Sequence, residues 1–154
     1  MATFFLDTSA LVKQYVDEQG SQWIRSMIIE DEEAVILISR VAEVEVSSAF
    51  ARRVREGTIS SEEREEAESA FCDDCVNRYH VINFSEEVVG LAKNLVIHYP
   101  LRAYDAIQLA SAIGAHASFS KRGLPPLTFV SADNRPIAVA LQEDLLCDNP
   151  NQHP

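Results

Sequence analysis

The chain predicts an α/β fold built on a parallel sheet, and three observations carry that expectation. Five short apolar runs are bounded by turn residues, the segments between most of them are long enough for crossover helices, and two of the runs end in an acid rather than a glycine-rich loop. The first run is Thr3–Leu6, followed at once by Asp7. The others are Ala34–Ile38, His80–Phe84, Leu127–Val130 and the shorter Leu145–Cys147. Runs of this length, apolar on both faces, suit strands covered by helices on either side.

The intervening segments carry helix signals in order. In RVAEVEVSSAFARRV, Val46, Phe50 and Val54 make an i, i+4, i+8 stripe, while Glu45 shares another face with Ser48, Ala49 and Arg52. Ser60-Ser61-Glu62-Glu63 offers a capping box, and Ser85-Glu86-Glu87 a second helix start. In LRAYDAIQLASAI, Asp105 falls in the first turn of an alanine-rich, buried helix with Leu109, Ala112 and Ile113 along its side. GLPPL turns the chain into the fourth strand, Pro136 fits the first turn of the helix after it, and DNPNQHP reads as a polar tail. No repeat, linker or low-complexity block interrupts residues 1–154, which are expected to form a single domain.

Composition excludes several classes. A net charge of -11 disfavours passive adhesion to nucleic acid or anionic lipid, so a polyanionic substrate needs local cations. No export signal is evident and no apolar run reaches the ~20 residues of a membrane span, so a cytoplasmic protein without membrane contact is expected. Three cysteines, Cys72, Cys75 and Cys147, do not make a disulfide framework, and a lone C-x-x-C within a helix lacks the second pair of a zinc site. The glycines are isolated, so neither G-x-G-x-x-G nor a P-loop is present and no dinucleotide cofactor is expected. Neither G-x-S-x-G nor H-E-x-x-H occurs.

What remains is a set of carboxylates in apolar or small-residue surroundings. Asp7 and Asp133 follow strands, and Glu45 and Asp105 sit on helices. Each alone has a plain explanation as a helix cap or a first-turn acid. Together they are harder to dismiss, because clustered carboxylates repel and need a cation between them, and hard oxygen ligands suit Mg²⁺ or Mn²⁺.

Four blocks, FFLDTSAL, ISRVAEVEVSSAFARR, LRAYDAIQLASA and FVSADNRPIAVA, in this order and spacing, resemble a PIN domain, and most of all the VapC-type toxins of toxin–antitoxin pairs. The resemblance implies a PIN-like fold with a parallel sheet ordered 3-2-1-4-5. It implies a Mg²⁺- or Mn²⁺-dependent endoribonuclease that leaves a 3′-hydroxyl and a 5′-phosphate. It assigns Asp7, Glu45, Asp105 and Asp133 as catalytic, metal-binding acids, with Thr8 and Ser9 supporting the first and Ser131 near the last. Glu43 competes with Glu45, and counting back from SSAFARR favours Glu45. A small antitoxin partner and a homodimer are implied as well. Reconciling RNA with the acidic charge, Arg52, Arg53, Arg55, Arg102, Lys121 and Arg122 are candidate phosphate contacts, with an exposed helix face as the equal alternative for the first three. The competing functions are a stand-alone PIN nuclease, a non-catalytic PIN interaction module and, more remotely, a haloacid dehalogenase-type phosphatase. The last needs a second Asp where this chain has Ser9.

Overall fold

The computed structural model describes residues 2–153. In chain order the elements are β1 (Thr3–Leu6), α1 (Thr8–Leu11), α2 (Ser21–Glu30), β2 (Val35–Ser39), α3 (Val41–Arg55), α4 (Ser61–Asn77), β3 (His80–Ile82), α5 (Glu86–His98), α6 (Ala103–Lys121), β4 (Thr128–Val130), α7 (Asn134–Gln142) and β5 (Leu146–Asp148). All strand pairs are parallel, in the order β3-β2-β1-β4-β5. This is the order expected from the four sequence blocks.

Alternation along each strand divides the core into two layers. Phe5, Leu37 and Phe129 stand side by side in register and point to α5, α6 and α7. Leu6, Ile36, Ile38 and Val130 point the other way, against α1, α2, α3 and α4. Phe5 and Phe129 stack with centroids 5.9 Å apart. Burial on both faces explains why the runs read as continuously apolar.

Strand limits differ from expectation by a residue or two. The third run stops at Ile82, because β3 has only three residues of β2 to pair with, and Phe84 emerges half exposed. The fifth strand starts at Leu146, since Leu145 is spent filling the core after the turn at Asp144. Both capping signals form: the Ser60 side chain accepts from Glu63 N while Glu63 reaches back to Ser60 N, and Ser85 accepts from Val88 N.

Residues 148–153 of DNPNQHP are not a loose tail, and Pro154 lies outside the described residues. They fold into a 3₁₀ turn at Pro150–Gln152 that closes on the start of α2. Gly20 has φ +83°, and a Cβ there would lie 2.5 Å from the Pro150 carbonyl oxygen, so only glycine fits. Gln19 Nε2 donates to Asn151 O at 2.9 Å, and the His153 ring stacks on Trp23 at 4.2 Å while its Nε2 meets Asp148 at 2.7 Å.

The three cysteines are free thiols. Burial pushes the Cys75 thiol up to about 12, away from reactivity. No helix among the described residues is long and apolar enough to cross a membrane.

Candidate active site

Ligands of open parallel sheets bind beyond the carboxyl ends of the strands where the strand order reverses. Here that point lies between β1 and β4, whose successors in the chain, β2 and β5, diverge to opposite sides. Asp7 follows β1 directly and caps α1, and Asp133 follows β4 by three residues and caps α7. The second turn of α3 supplies Glu45 and the first turn of α6 supplies Asp105. All four carboxylates line one cleft of about 380 Å³.

Asp7 is 6% exposed. Its Oδ1 accepts Ala10 N at 3.1 Å and the Ser9 hydroxyl at 2.6 Å. Ser9 Oγ in turn accepts Ala132 N at 2.9 Å, so one hydroxyl ties the tips of β1 and β4 together. Desolvation still dominates: burial pushes the Asp7 carboxyl up to about 6, helped slightly by the Asp105 charge and opposed by the Ser131 and Ser9 hydroxyls and the Ala10 N–H. Asp105 is also shifted upward, by burial and then by Asp133, against the pull of Arg102 and Arg135. Asp133 goes the other way. Its hydrogen bond from Arg135 holds it below the usual carboxylate range, with Nη2 2.8 Å from Oδ2.

Glu45 Oε1 accepts the Thr8 hydroxyl at 3.1 Å and Gln108 Nε2 at 2.9 Å. Thr8 therefore supports Glu45 with its side chain, whereas Ser9 serves Asp7. Glu43 instead pairs with Arg40 at 2.8 Å on the outer side of α3 and does not line the cleft. Ser131 Oγ accepts Asp133 N at 3.1 Å, closing the turn that aims Asp133.

The candidate phosphate contacts separate. Arg52 and Arg102 are exposed and line the cleft. Arg53 lines it too, but its guanidinium is 2.7 Å from Glu18, which also binds the buried Lys13 at 3.1 Å, so it braces the wall. Arg55 is not among the lining residues. Lys121 and Arg122 lie at the wrong end: α6 has its first turn at the cleft, and its 19 residues carry Lys121 roughly 28 Å along the axis.

The acids fit a hard divalent cation in chemistry, and the burial that raises Asp7 and Asp105 is a cost to their charged forms that a bound cation would offset. In this arrangement, among the described residues, no three His, Cys, Asp or Glu side chains converge closely enough to hold an ion. Two are otherwise engaged, Asp133 by Arg135 and one oxygen of Glu45 by Thr8 and Gln108.

A PIN domain family model matches residues 4–141. The chain belongs to the PIN domain family. This PIN domain is similar in structure to VapBC2 of Rickettsia felis, solved bound to a promoter DNA fragment (TM-score 0.65, 14% identity, covering 96% of this chain and 98% of that chain). It is similar to a toxin–antitoxin complex from Klebsiella pneumoniae (TM-score 0.61, 16% identity, 96% and 97% covered). A third similar structure is VapC20 of Mycobacterium tuberculosis, described as a toxin that cleaves the sarcin–ricin loop (TM-score 0.60, 15% identity, 88% and 94% covered). At these identities the likeness is one of fold. A search of curated proteins returns no match.

Sequence reasoning missed Gln108 and Arg135. An amide on a helix otherwise filled with alanine and leucine, three residues after Asp105 and so on its face, was the available signal for the first. For Arg135 it was a cation two residues after a capping Asp.

Proposed function

We propose that this PIN domain is a Mg²⁺- or Mn²⁺-dependent endoribonuclease, acting in the cytoplasm as the toxin of a toxin–antitoxin pair. One observation carries the reading: acids from four separate elements line a single cleft at the topological switch point of the sheet. Asp7, Asp105 and Asp133, with Glu45, would hold the ion. When bound, it supplies a Lewis acid for the phosphate and lowers the pKa of attacking water.

The protein's own residues do the rest. The sheet fixes Asp7 rigidly, and the Ala10 N–H and Ser9 hydroxyl set the orientation of its carboxylate. Deprotonated, Asp7 and Asp105 would hold the cation, whose charge would offset the cost of their burial. Arg52 and Arg102 flank the acids and offer guanidinium groups to phosphates on either side of the scissile bond. RNA as substrate is supported by the action stated for the similar VapC20, and an antitoxin partner by the similar toxin–antitoxin complexes. A homodimer would cover some of the exposed apolar side chains, among them Phe84, Val96 and Ile97.

The test is cleavage of structured RNA by purified protein with Mn²⁺ or Mg²⁺. Activity should stop in EDTA, and expression without the cognate antitoxin should arrest bacterial growth. Cleavage that survives EDTA overturns the metal chemistry, and unchecked growth with active protein overturns the toxin assignment in favour of a stand-alone nuclease.

A further inference from the structure

Glu45 is held through one oxygen. Thr8 Oγ1 and Gln108 Nε2 both donate to Oε1, at 3.1 and 2.9 Å, and Gln108 Nε2 also donates to Thr8 Oγ1 at 2.9 Å. The three side chains, from α1, α3 and α6, close a ring that spends both amide protons of Gln108 and the single hydroxyl proton of Thr8. Among the described residues nothing engages Glu45 Oε2, and Glu45 lines the cleft beside Asp7 and Asp105.

A carboxylate only accepts, so the amino group of Gln108 must face Glu45 and its carbonyl must face away. Gln108 is 3% exposed, and that carbonyl oxygen is closed from solvent with no partner. An unpaired buried carbonyl lowers stability, and an apolar side chain of the same length would avoid the cost. Packing of α6 therefore does not account for an amide here, whereas the bond to Glu45 does.

We propose that Gln108 is a positioning residue that, with Thr8, clamps Glu45 through Oε1 and so presents Oε2 to the cleft. The proposal rests on the endoribonuclease reading of that cleft, and it adds that the fourth acid is aimed from outside rather than by its own helix.

The test is Gln108→Met, which keeps length and removes the donors. Turnover on RNA should fall roughly 10- to 100-fold with KM little changed, as for other residues that orient a ligand side chain, and Mg²⁺ affinity read by calorimetry should weaken. The melting temperature should hold or rise, because the orphaned carbonyl is gone. Thr8→Val should act in the same direction, and Thr8→Ser, which keeps the hydroxyl, should recover most of that loss. A crystal structure of metal-free Gln108→Met should show the Glu45 carboxylate displaced. Unchanged turnover, an unmoved Glu45, or a fall in stability with kcat and KM lost together overturns the clamp in favour of a structural strut. If the wild-type protein neither cleaves RNA nor binds Mg²⁺, the endoribonuclease reading fails by itself, and the position of Glu45 in the variant still decides whether Gln108 holds it.

Discussion

Asp7 and Asp133 lie one and three residues beyond the ends of adjacent parallel strands, and each caps the helix that follows. Their chemistry is opposite. Asp7 is buried among β1, α1 and the β4 tip and keeps a proton up to about pH 6. Asp133 has a side chain 31% exposed and is ionised early by Arg135 beside it. The same local code, an acid that caps the helix after a strand, thus yields two acids, one set by burial and the other by a removable partner. Asp7 is tuned by the fold itself, so its behaviour should resist surface changes, while that of Asp133 should not.

The largest effect expected from this contrast is on catalysis. Asp7→Asn should take RNA cleavage to the detection limit with an unchanged circular dichroism spectrum, since Asn caps a helix as well as Asp. Asp133→Asn, at a partly exposed and charge-paired position, should leave measurable cleavage. Equal losses in a gel-based assay would break the distinction.

Stability against pH comes next. Because the folded state holds the Asp7 proton up to about 6 and the unfolded chain releases it near 3.8, the contribution is fully present below pH 4 and is lost as pH rises through 6. At neutral pH the metal-free protein should lack about 3 kcal/mol from this group. Asp133, shifted downward, works in the opposite sense: its contribution is present above its unfolded pKa and fades on acidification, and its exposure keeps it small. Thermal melts in EDTA should show less stability at pH 7.5 than at pH 5, and Asp7→Asn should flatten that slope and raise the neutral-pH value. A slope that survives in Asp7→Asn belongs to another group.

The smallest effect tests the removable partner. Arg135→Gln should scarcely move the melting temperature, because the guanidinium is exposed. It should nonetheless tighten Mg²⁺ binding by a few-fold, since Asp133 is freed and the cluster gains net negative charge. Weaker binding in calorimetry would show that Arg135 holds Asp133 in the useful direction.

Much of this was legible in the sequence because it depends on neighbours along the chain. Strand runs, the Ser60 and Ser85 caps and the acids at the tips of β1 and β4 are local signals, and parallel topology converts strand tips into one edge. The resemblance gives Thr8 to Asp7, whereas its side chain meets Glu45, because which hydroxyl reaches Glu45 depends on how α1 meets α3. Gln108 was missed for a related reason: its partners lie on α1 and α3, far away in sequence. Arg53 reads from the sequence equally as a phosphate contact or as part of an exposed helix face, because its partner Glu18 lies 35 residues away. The misplaced Lys121 and Arg122 needed only helix arithmetic, since 16 residues beyond Asp105 is about 24 Å along the axis. DNPNQHP read as a tail because polar, proline-rich composition does not disclose a contact with residue 20.

That contact has an optical consequence. Trp23 is the one tryptophan in the chain, and its ring lies flat against His153 with an interplanar angle of 8°. The tryptophan emission of the protein therefore originates at the seam where the 3₁₀ turn meets α2. Loss of the stack would alter both the solvent around the indole and its quenching by imidazole. Fluorescence at that single site reports whether the two distant segments remain joined, without a label, a substrate or a metal ion.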